Sequence, residues 1–505
     1  MNPRSLKTLP ELIRSAAAAF GDETAVTLTG DSLPDDSVSF RGLDERSAEI
    51  ARALLARGVG KGSRVGFIYG NSPSFAIIFA AIARIGAIAI PISTLIKANE
   101  LVRVLRQSDI GALFVQRTLL RHDYVERLCE ALPALRDATG PDLRIADIPY
   151  LRWIVSTGEG LPPGIVAQPD FLSGAKTVDD IILRAAEAEV HSTDQIVEIY
   201  TSGSMALPKG VRHLHGPVMA RAAYVAEMTG ARRGDRIDAV LPMFWVGGLM
   251  MFLLPGWVAG RITACTEGTK TSSRHAMGSV LAEEDLKLLA GAKPYWALGM
   301  SETFGPYSYG DEFRAPGYPV CAPLDHAAEQ FEIRVVGEDG SAVGDGEVGE
   351  IQVRGYALTP GLHKLEREGY FTPDGFYHTG DLGVRDGGRI HFVGRNGDII
   401  KANGSNVSPA EVEMELQQLD GIHSAYVVGI PDVQRGQLVV AAVVARDGET
   451  IDIAATEAAM KARLSSFKLP RAYVELKRED VPMLPSNKVA RRQIETLMIG
   501  RLGRG

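Results

Sequence analysis

Cysteine is scarce in this chain. Only Cys129, Cys265 and Cys321 occur in 505 residues, far apart. That spacing excludes a disulfide framework and a zinc knuckle, and a reducing, cytoplasmic setting is expected. An excess of positive charge is also missing: 54 Lys and Arg stand against 62 Asp and Glu, a net charge of −8, which argues against a nucleic-acid surface. No long apolar run is uninterrupted. Ala239 to Gly260 carries no charge, but Pro242, Gly247, Gly248, Pro255 and Gly256 cut it into short pieces. A buried strand–turn–helix is expected there, not a transmembrane span. Val65 to Ile92 is broken in the same way by Asn71-Ser72-Pro73 and Arg84. Met1 to Ser15 has basic residues but no apolar core, so a signal peptide is not expected.

What is present is a globular composition, 45% hydrophobic and 23% charged, in a chain too long for one core. The first part alternates helix-like and strand-like patterns: helices at 44–57 and 74–85, strands at 64–69, 87–91 and 112–116. Strands spaced by helices imply βαβ units and mostly parallel sheet, with ligands beyond the strand C-termini. From Phe331 the pattern changes to short β segments separated by glycine turns. After Arg395-Asn396-Gly397 a small α/β unit follows, with a helix at 409–419, strands at 424–430 and 437–444, a helix near 455–464 and a strand near 473–476. The expected fold is α/β. A large domain over 1–395, mostly parallel sheet flanked by helices plus a β-rich subdomain, precedes a small mobile C-terminal α/β domain over 396–505.

The most informative stretch is Tyr200 to Val211, YTSGSMALPKGV. It follows the apolar strand end Ile196-Val197-Glu198-Ile199. Glycines let backbone N–H groups crowd a ligand, and such turns form anion-binding concavities. Hydroxyls and Lys209 add donors and charge, which is what a polyphosphate needs. An ordinary Gly/Ser loop is the alternative. It is not a Walker loop, because the lysine precedes its glycine. Four further islands carry chemistry. Leu298-Gly299-Met300-Ser301-Glu302-Thr303 offers a carboxylate after a glycine turn, able to hold Mg²⁺ against phosphate oxygens or simply to sit on the surface. Tyr377-His378-Thr379-Gly380-Asp381 places an aspartate after a tight turn, suited to ribose hydroxyls or to capping the turn. Gly394 to Gly404 is basic and glycine-punctuated. Leu484 to Lys488 ends in a lysine, a compact mobile charge, which alone reads as a solvated surface residue.

Together these islands make the chain resemble the adenylate-forming (AMP-binding) superfamily, in its acyl-CoA synthetase and fatty-acid–CoA ligase branch. The carrying residues are YTSGSMALPKG at 200–210, GMSE at 299–302, YHTGD at 377–381, GRNGDIIKANGSNVSPAEVE at 394–413 and Lys488; the likeness runs from about Phe20 to the C-terminus. It implies an acid–thiol ligase using ATP, Mg²⁺ and coenzyme A. In family terms Thr201, Ser202, Gly203, Ser204 and Lys209 would wrap the β- and γ-phosphates, with Gly299, Met300 and Ser301 beside the nucleotide. Glu302 would hold the metal, and Asp381 and Arg395 the ribose. Lys488 would bridge the carboxylate and the α-phosphate. Gly397 would be the hinge, after which the turn of Lys401 and Gly404 would face the site for the thioester step. Lys488, Glu302 and Lys209 would be the catalytic residues.

Several positions depart from the family pattern. Met205 and Ala206 stand where Thr and Gly are usual, and Leu298 where an aromatic usually stacks on adenine. Trp245 stands where a histidine commonly lines the acyl pocket, and Asn487 replaces a glycine. Only about 38 residues separate Gly260 from Gly299, roughly half the family's span, without a second glycine-rich adenine-binding segment. The acyl pocket would lie near Trp245, Val246 and Leu298, in apolar surroundings that suit a fatty or aromatic acid. CoA is the expected acceptor. Loading of a separate carrier protein is the alternative, as is a catalytically impaired relative used for binding or regulation. A monomer or homodimer is expected.

Overall fold

The computed structural model describes residues 2–201, 208–267, 296–310, 320–323, 329–337, 339–387, 389–395, 400–402, 405–407, 409–482, 489 and 491–503. Among these residues, seven strands build the central sheet. In spatial order they are Lys209–Leu214, Gln195–Thr201, Ile88–Pro91, Arg64–Ile68, Ala112–Val115, Trp153–Ser156 and Ile165–Ala167. The first two form an antiparallel hairpin, and every other neighbouring pair is parallel. Parallel strands covered on both faces need continuous apolar runs, and the runs expected at 64–69, 87–91 and 112–116 are these strands to within a residue.

Helix Pro73–Ala83 shows what covers the sheet. Every residue but Ser74 is buried, the pattern of a helix packed on all sides. It lies against Ile88–Pro91 of the central sheet and against Thr24–Thr29 of a second sheet. Pro73 opens it, and the Ser72 hydroxyl accepts from the Phe75 N–H at 3.2 Å, an N-cap. The second sheet orders Arg236–Asp238, Ile262–Thr266, Thr24–Thr29 and Asp36–Ser39. The next helix starts directly at Phe40, capped by Ser39, four residues before the expected start, because strand and helix abut without a loop.

The segment 239–260 differs from expectation. Its strand ends beforehand, at Asp238, and the rest is helical from Val246 to Ala259 with a widened π turn over Leu249–Leu253. Pro255 offers no N–H to the preceding turn, and a π turn accommodates that loss. Gly248 is required by packing, since a Cβ there would meet the Pro242 carbonyl oxygen at 2.1 Å. Trp257 is fully buried beside Phe79. No helix among the described residues is long and apolar enough to cross a membrane.

Beyond residue 330 the chain is β-rich, as expected. An antiparallel sheet orders Val320–Pro323, Arg389–Arg395, Tyr377–Asp386, Val348–Gly355 and Phe331–Val336. Tyr377–Asp381 is not a tight turn but the start of a ten-residue strand. Gly380, at φ +69°, coincides with a register shift against 350–352, so the glycine makes a bulge that re-aims the following aspartate.

The C-terminal sheet centres on Ile422–Asp432 paired with Gly436–Ala445. Val427, Val439, Ala441 and Val443 face helices Pro409–Gln417 and Ile453–Arg463, while Val428, Val440, Ala442 and Val444 face helix Arg491–Arg501. Helix Ala98–Gln107 of the large part meets this unit through charge. Glu100 accepts from Ser465 Oγ at 2.7 Å and from Lys468 Nζ at 2.6 Å, and Lys468 also reaches Glu411 at 2.9 Å.

Candidate active site

The site is built around the hairpin of the central sheet. Its register sets Thr201 opposite Lys209 and Tyr200 opposite Gly210. Residues 202–207, including Ser202, Gly203 and Ser204, lie outside the described residues, as do Gly397, Gly404 and Lys488. Lys209 Nζ lies 4.7 Å from the centre of the Tyr370 ring, a cation–π contact. The Tyr370 carbonyl accepts from the His378 N–H at 2.9 Å, which ties this lysine to the strand carrying Asp381.

Glu302 is fixed by its own turn. Phe304 follows in the left-handed region at φ +48° and Gly305 at φ +114°. A Cβ on Gly299 would meet the Gly305 carbonyl oxygen at 2.8 Å, so that glycine is required. The Thr303 hydroxyl accepts from the Met300 N–H at 3.2 Å and donates to the Gly305 carbonyl at 2.7 Å. Glu302 Oε1 accepts from Tyr377 Oη at 3.0 Å, and the Glu302 carbonyl accepts from the Thr359 N–H at 2.7 Å. Thr359 in turn donates through Oγ1 to the Arg212 carbonyl at 2.7 Å. The segment 359–363 therefore bridges the Glu302 turn and the hairpin.

Asp381 pairs in register with Arg395 across adjacent strands. The Asp381 N–H donates to Thr379 Oγ1 at 3.0 Å, and the Gly380 N–H to Glu350 Oε1 at 3.1 Å. Tyr377 begins the strand that holds Asp381, so one strand carries both the residue that orients Glu302 and the aspartate. Thr201, Lys209, Glu302, Asp381 and the Arg395 backbone thus belong to one connected assembly, with Gly299 exposed and Met300 and Ser301 half-buried beside it.

The remaining candidates sit apart. Leu298 is buried with Tyr307, Phe331 and Tyr377. Trp245 is half-buried, edge-on to Phe244 at 5.6 Å, and Val246 is buried. Asn71 holds the segment that leads to them: its Nδ2 donates to the Leu241 carbonyl at 2.9 Å and its Oδ1 accepts from the Met243 N–H at 2.7 Å. Lys401 lies in the C-terminal sheet, its N–H donating to Gln437 Oε1 at 2.7 Å. Among the described residues no group of three His, Cys, Asp or Glu side chains could hold a metal.

Three residues that hold this assembly together are not singled out by the motif pattern. Tyr377 lies within a motif, but its hydrogen bond to Glu302 is not legible there. Tyr370 lies outside every motif. Glu198, buried at 0% exposure, is a charge inside the apolar run from Ile196 to Ile199, which is the signal that could have singled it out. Burial pushes the Tyr200 phenol beside it well above its usual range, with Glu198 adding to the shift. Two histidines of the hairpin region, His213 and His215, are fully buried, and burial pulls both down to about 3.

A model of AMP-binding enzymes matches residues 13–298 and a model of their C-terminal domain matches 411–488. The chain belongs to the AMP-binding, adenylate-forming enzyme family. Among curated members of the family it is 26% identical to indoleacetate–CoA ligase of Aromatoleum aromaticum, over 92% of this chain and 94% of that protein. It is 27% identical to feruloyl-CoA synthase of an Amycolatopsis species, over 91% and 93%. A solved o-succinylbenzoate CoA synthetase from Bacillus subtilis superposes with a TM-score of 0.72 at 20% identity, over 96% of this chain and 98% of that one. The indoleacetate–CoA ligase alignment runs to 508 columns over 92% of a 505-residue chain. Roughly forty columns therefore hold residues of the relative with no counterpart here, in keeping with a shortened chain.

Proposed function

We propose that this protein uses ATP to activate an apolar or aromatic carboxylic acid and passes the acyl group to the thiol of coenzyme A. One observation carries the proposal: Lys209, Glu302, Asp381 and the Arg395 strand are joined through Tyr370, Tyr377 and the 359–363 segment. Lys209 would supply the cation, Glu302 the metal-holding carboxylate and Asp381 the ribose acceptor that a magnesium-bound nucleotide needs. The donor set fits Mg²⁺, since a single held carboxylate plus substrate phosphates is its usual coordination; Glu302 would hold it, and the ion would neutralise phosphate charge.

In the first step a carboxylate oxygen forms a bond to the α-phosphorus, and the bond to the bridging oxygen of pyrophosphate breaks. In the second the CoA sulfur bonds the acyl carbon, the bond to AMP breaks, and the thiol proton leaves. Both steps bring anions together, so the chain must aim positive charge and exclude water. Thr201 to Lys209 would cradle the β- and γ-phosphates, and Gly299, Met300 and Ser301 would flank the nucleotide. Asp381 and Arg395 would hold the ribose. Lys488, carried by residues 396–505 as a domain moving on Gly397, would neutralise the first transition state and leave for the second, when Lys401 and Gly404 face the site. Trp245, Val246 and Leu298 would bound the acyl group.

An acid panel assayed for pyrophosphate release with and without CoA tests this. Aliphatic and aromatic acids should release pyrophosphate, and the thioester should form only with CoA. Trp245→Ala should shift preference to bulkier acids by a factor of about ten to a hundred. Release that requires a carrier protein in place of CoA would reassign the acceptor.

A further inference from the structure

The deeper support of the hairpin is chemically odd. Glu198 is fully buried between the apolar residues Ile196, Val197 and Ile199 of its strand, where an isoleucine would satisfy the sheet at far lower desolvation cost. Its Oε1 accepts from Tyr200 Oη at 2.6 Å and from Arg64 Nη2 at 2.5 Å, and its Oε2 from Gln195 Nε2 at 3.1 Å. Carboxylate and phenol lie directly over the backbone of the partner strand. A Cβ on Gly210 would come within 2.5 Å of Glu198 Oε1 and 2.9 Å of the Tyr200 hydroxyl, so Gly210 is required by this chain's own network.

A second set of contacts holds the other side of Gly210. Its carbonyl accepts from the His363 N–H at 2.7 Å, and Leu362 bridges Val211. The His363 ring stands between two carboxylates, Nε2 at 3.0 Å from Asp109 Oδ2 and Nδ1 at 3.9 Å from Glu198 Oε2. Lys364 Nζ closes the set on Asp109 Oδ1 at 2.6 Å. Asp109 and Lys364 both sit in the left-handed region, at φ +51° and +58°. Such backbone is costly for residues other than glycine and persists where the surroundings over-determine it.

We propose that Glu198 is a positioning residue for nucleotide phosphate: with Tyr200 and the His363–Asp109 pair it clamps Gly210 from two sides and so fixes the Thr201–Lys209 end of the hairpin. It touches no substrate and acts through backbone. The inference rests on the proposed use of ATP at this hairpin. Arg64 neutralises the carboxylate, so the clamp adds no net repulsion toward phosphate.

The test uses Tyr200→Phe, which removes one hydroxyl, and His363→Leu, with His363→Gln as the rescue that can still donate to Asp109. For each full-length variant, MgATP affinity is measured by calorimetry beside KM for ATP, KM for the acid, kcat and melting temperature. Tyr200→Phe and His363→Leu should weaken MgATP about fivefold or more, the scale of one lost hydrogen bond. KM for the acid and kcat should stay within about twofold, and His363→Gln should recover most of the affinity. Unchanged MgATP affinity in both variants, with only the melting temperature lowered, would overturn the inference and leave a purely structural ion network. Equal losses for ATP and acid would overturn it too. If the wild type binds MgATP yet activates no acid, the function above fails, and the affinity comparison still decides this point.

Discussion

Helix Ala98–Gln107 has a charge network at each end, and the two are built differently. Beyond its C-terminus, the Ser108 carbonyl accepts from Arg64 Nε and Asp109 takes His363 and Lys364. All of these belong to the large part of the chain, tied again by strand pairing and by backbone bonds at Gly210 and Thr359. Near its N-terminus Glu100 meets Ser465 and Lys468, and from mid-helix Arg103 meets Glu415, all on the C-terminal unit. Burial alone would lower Lys468, yet Glu411 and Glu100 overcome it and raise the ammonium above its ordinary range. Burial raises Glu411. One end is a brace within a framework. The other is a junction carried by a few buried charges, and a C-terminal domain that serves two reaction steps would have to break it.

Breaking the junction should give the largest effect. Lys468→Met leaves Glu100 and Glu411 buried without their shared cation, a loss of about 3–5 kcal/mol. Hydrogen exchange should show Pro409–Gln417 and Ile453–Arg463 losing protection while the central sheet keeps its own. Uniform loss across both regions would mean that the junction and framework are one cooperative unit.

The two ends should also part with pH. His213 and His215 belong to the framework and stay neutral in the fold to about pH 3. Their folded values lie below the ordinary value near 6.5, so the unfolded chain takes the proton first. Their contribution is present above about pH 6.5 and is lost as pH falls toward 3, of order 2 kcal/mol each by pH 5. Lys468, with its folded value raised, has the opposite sign: its contribution holds below the ordinary lysine range and is lost only above it. Thermal unfolding followed by hydrogen exchange at pH 7 and pH 5 should therefore weaken the framework first. His215→Gln should flatten that pH dependence. The smallest effect belongs to Lys364, whose side chain is 40% exposed; Lys364→Met should cost less than about 1 kcal/mol in urea unfolding.

The same contrast marks what was legible in the sequence. Framework strands such as Arg64–Ile68 and Ala112–Val115 read directly, because burial on both faces leaves a continuous apolar run. Strand Tyr377–Asp386 did not, because Gly380 imitates a turn where it makes a bulge. Strand Lys209–Leu214 begins inside the stretch that reads as loop, at its lysine and glycine. The motif residues themselves were plain, since their chemistry is local. Their supports were not, because His363 reaches Glu198 and Gly210 across more than 150 positions of sequence, and no local pattern encodes that meeting.

The central claim is that a carboxylate oxygen attacks the α-phosphorus of ATP at the Lys209–Glu302–Asp381 assembly. An acid labelled with ¹⁸O in its carboxyl group, turned over with ATP, Mg²⁺ and CoA, tests it by mass spectrometry of the products. AMP should carry one labelled oxygen and pyrophosphate none, and Asp381→Ala should slow the labelling by lowering ATP affinity about thirtyfold, the scale of a charge-assisted hydrogen bond. Label in inorganic phosphate with ADP as the product, or unlabelled AMP, would contradict the account.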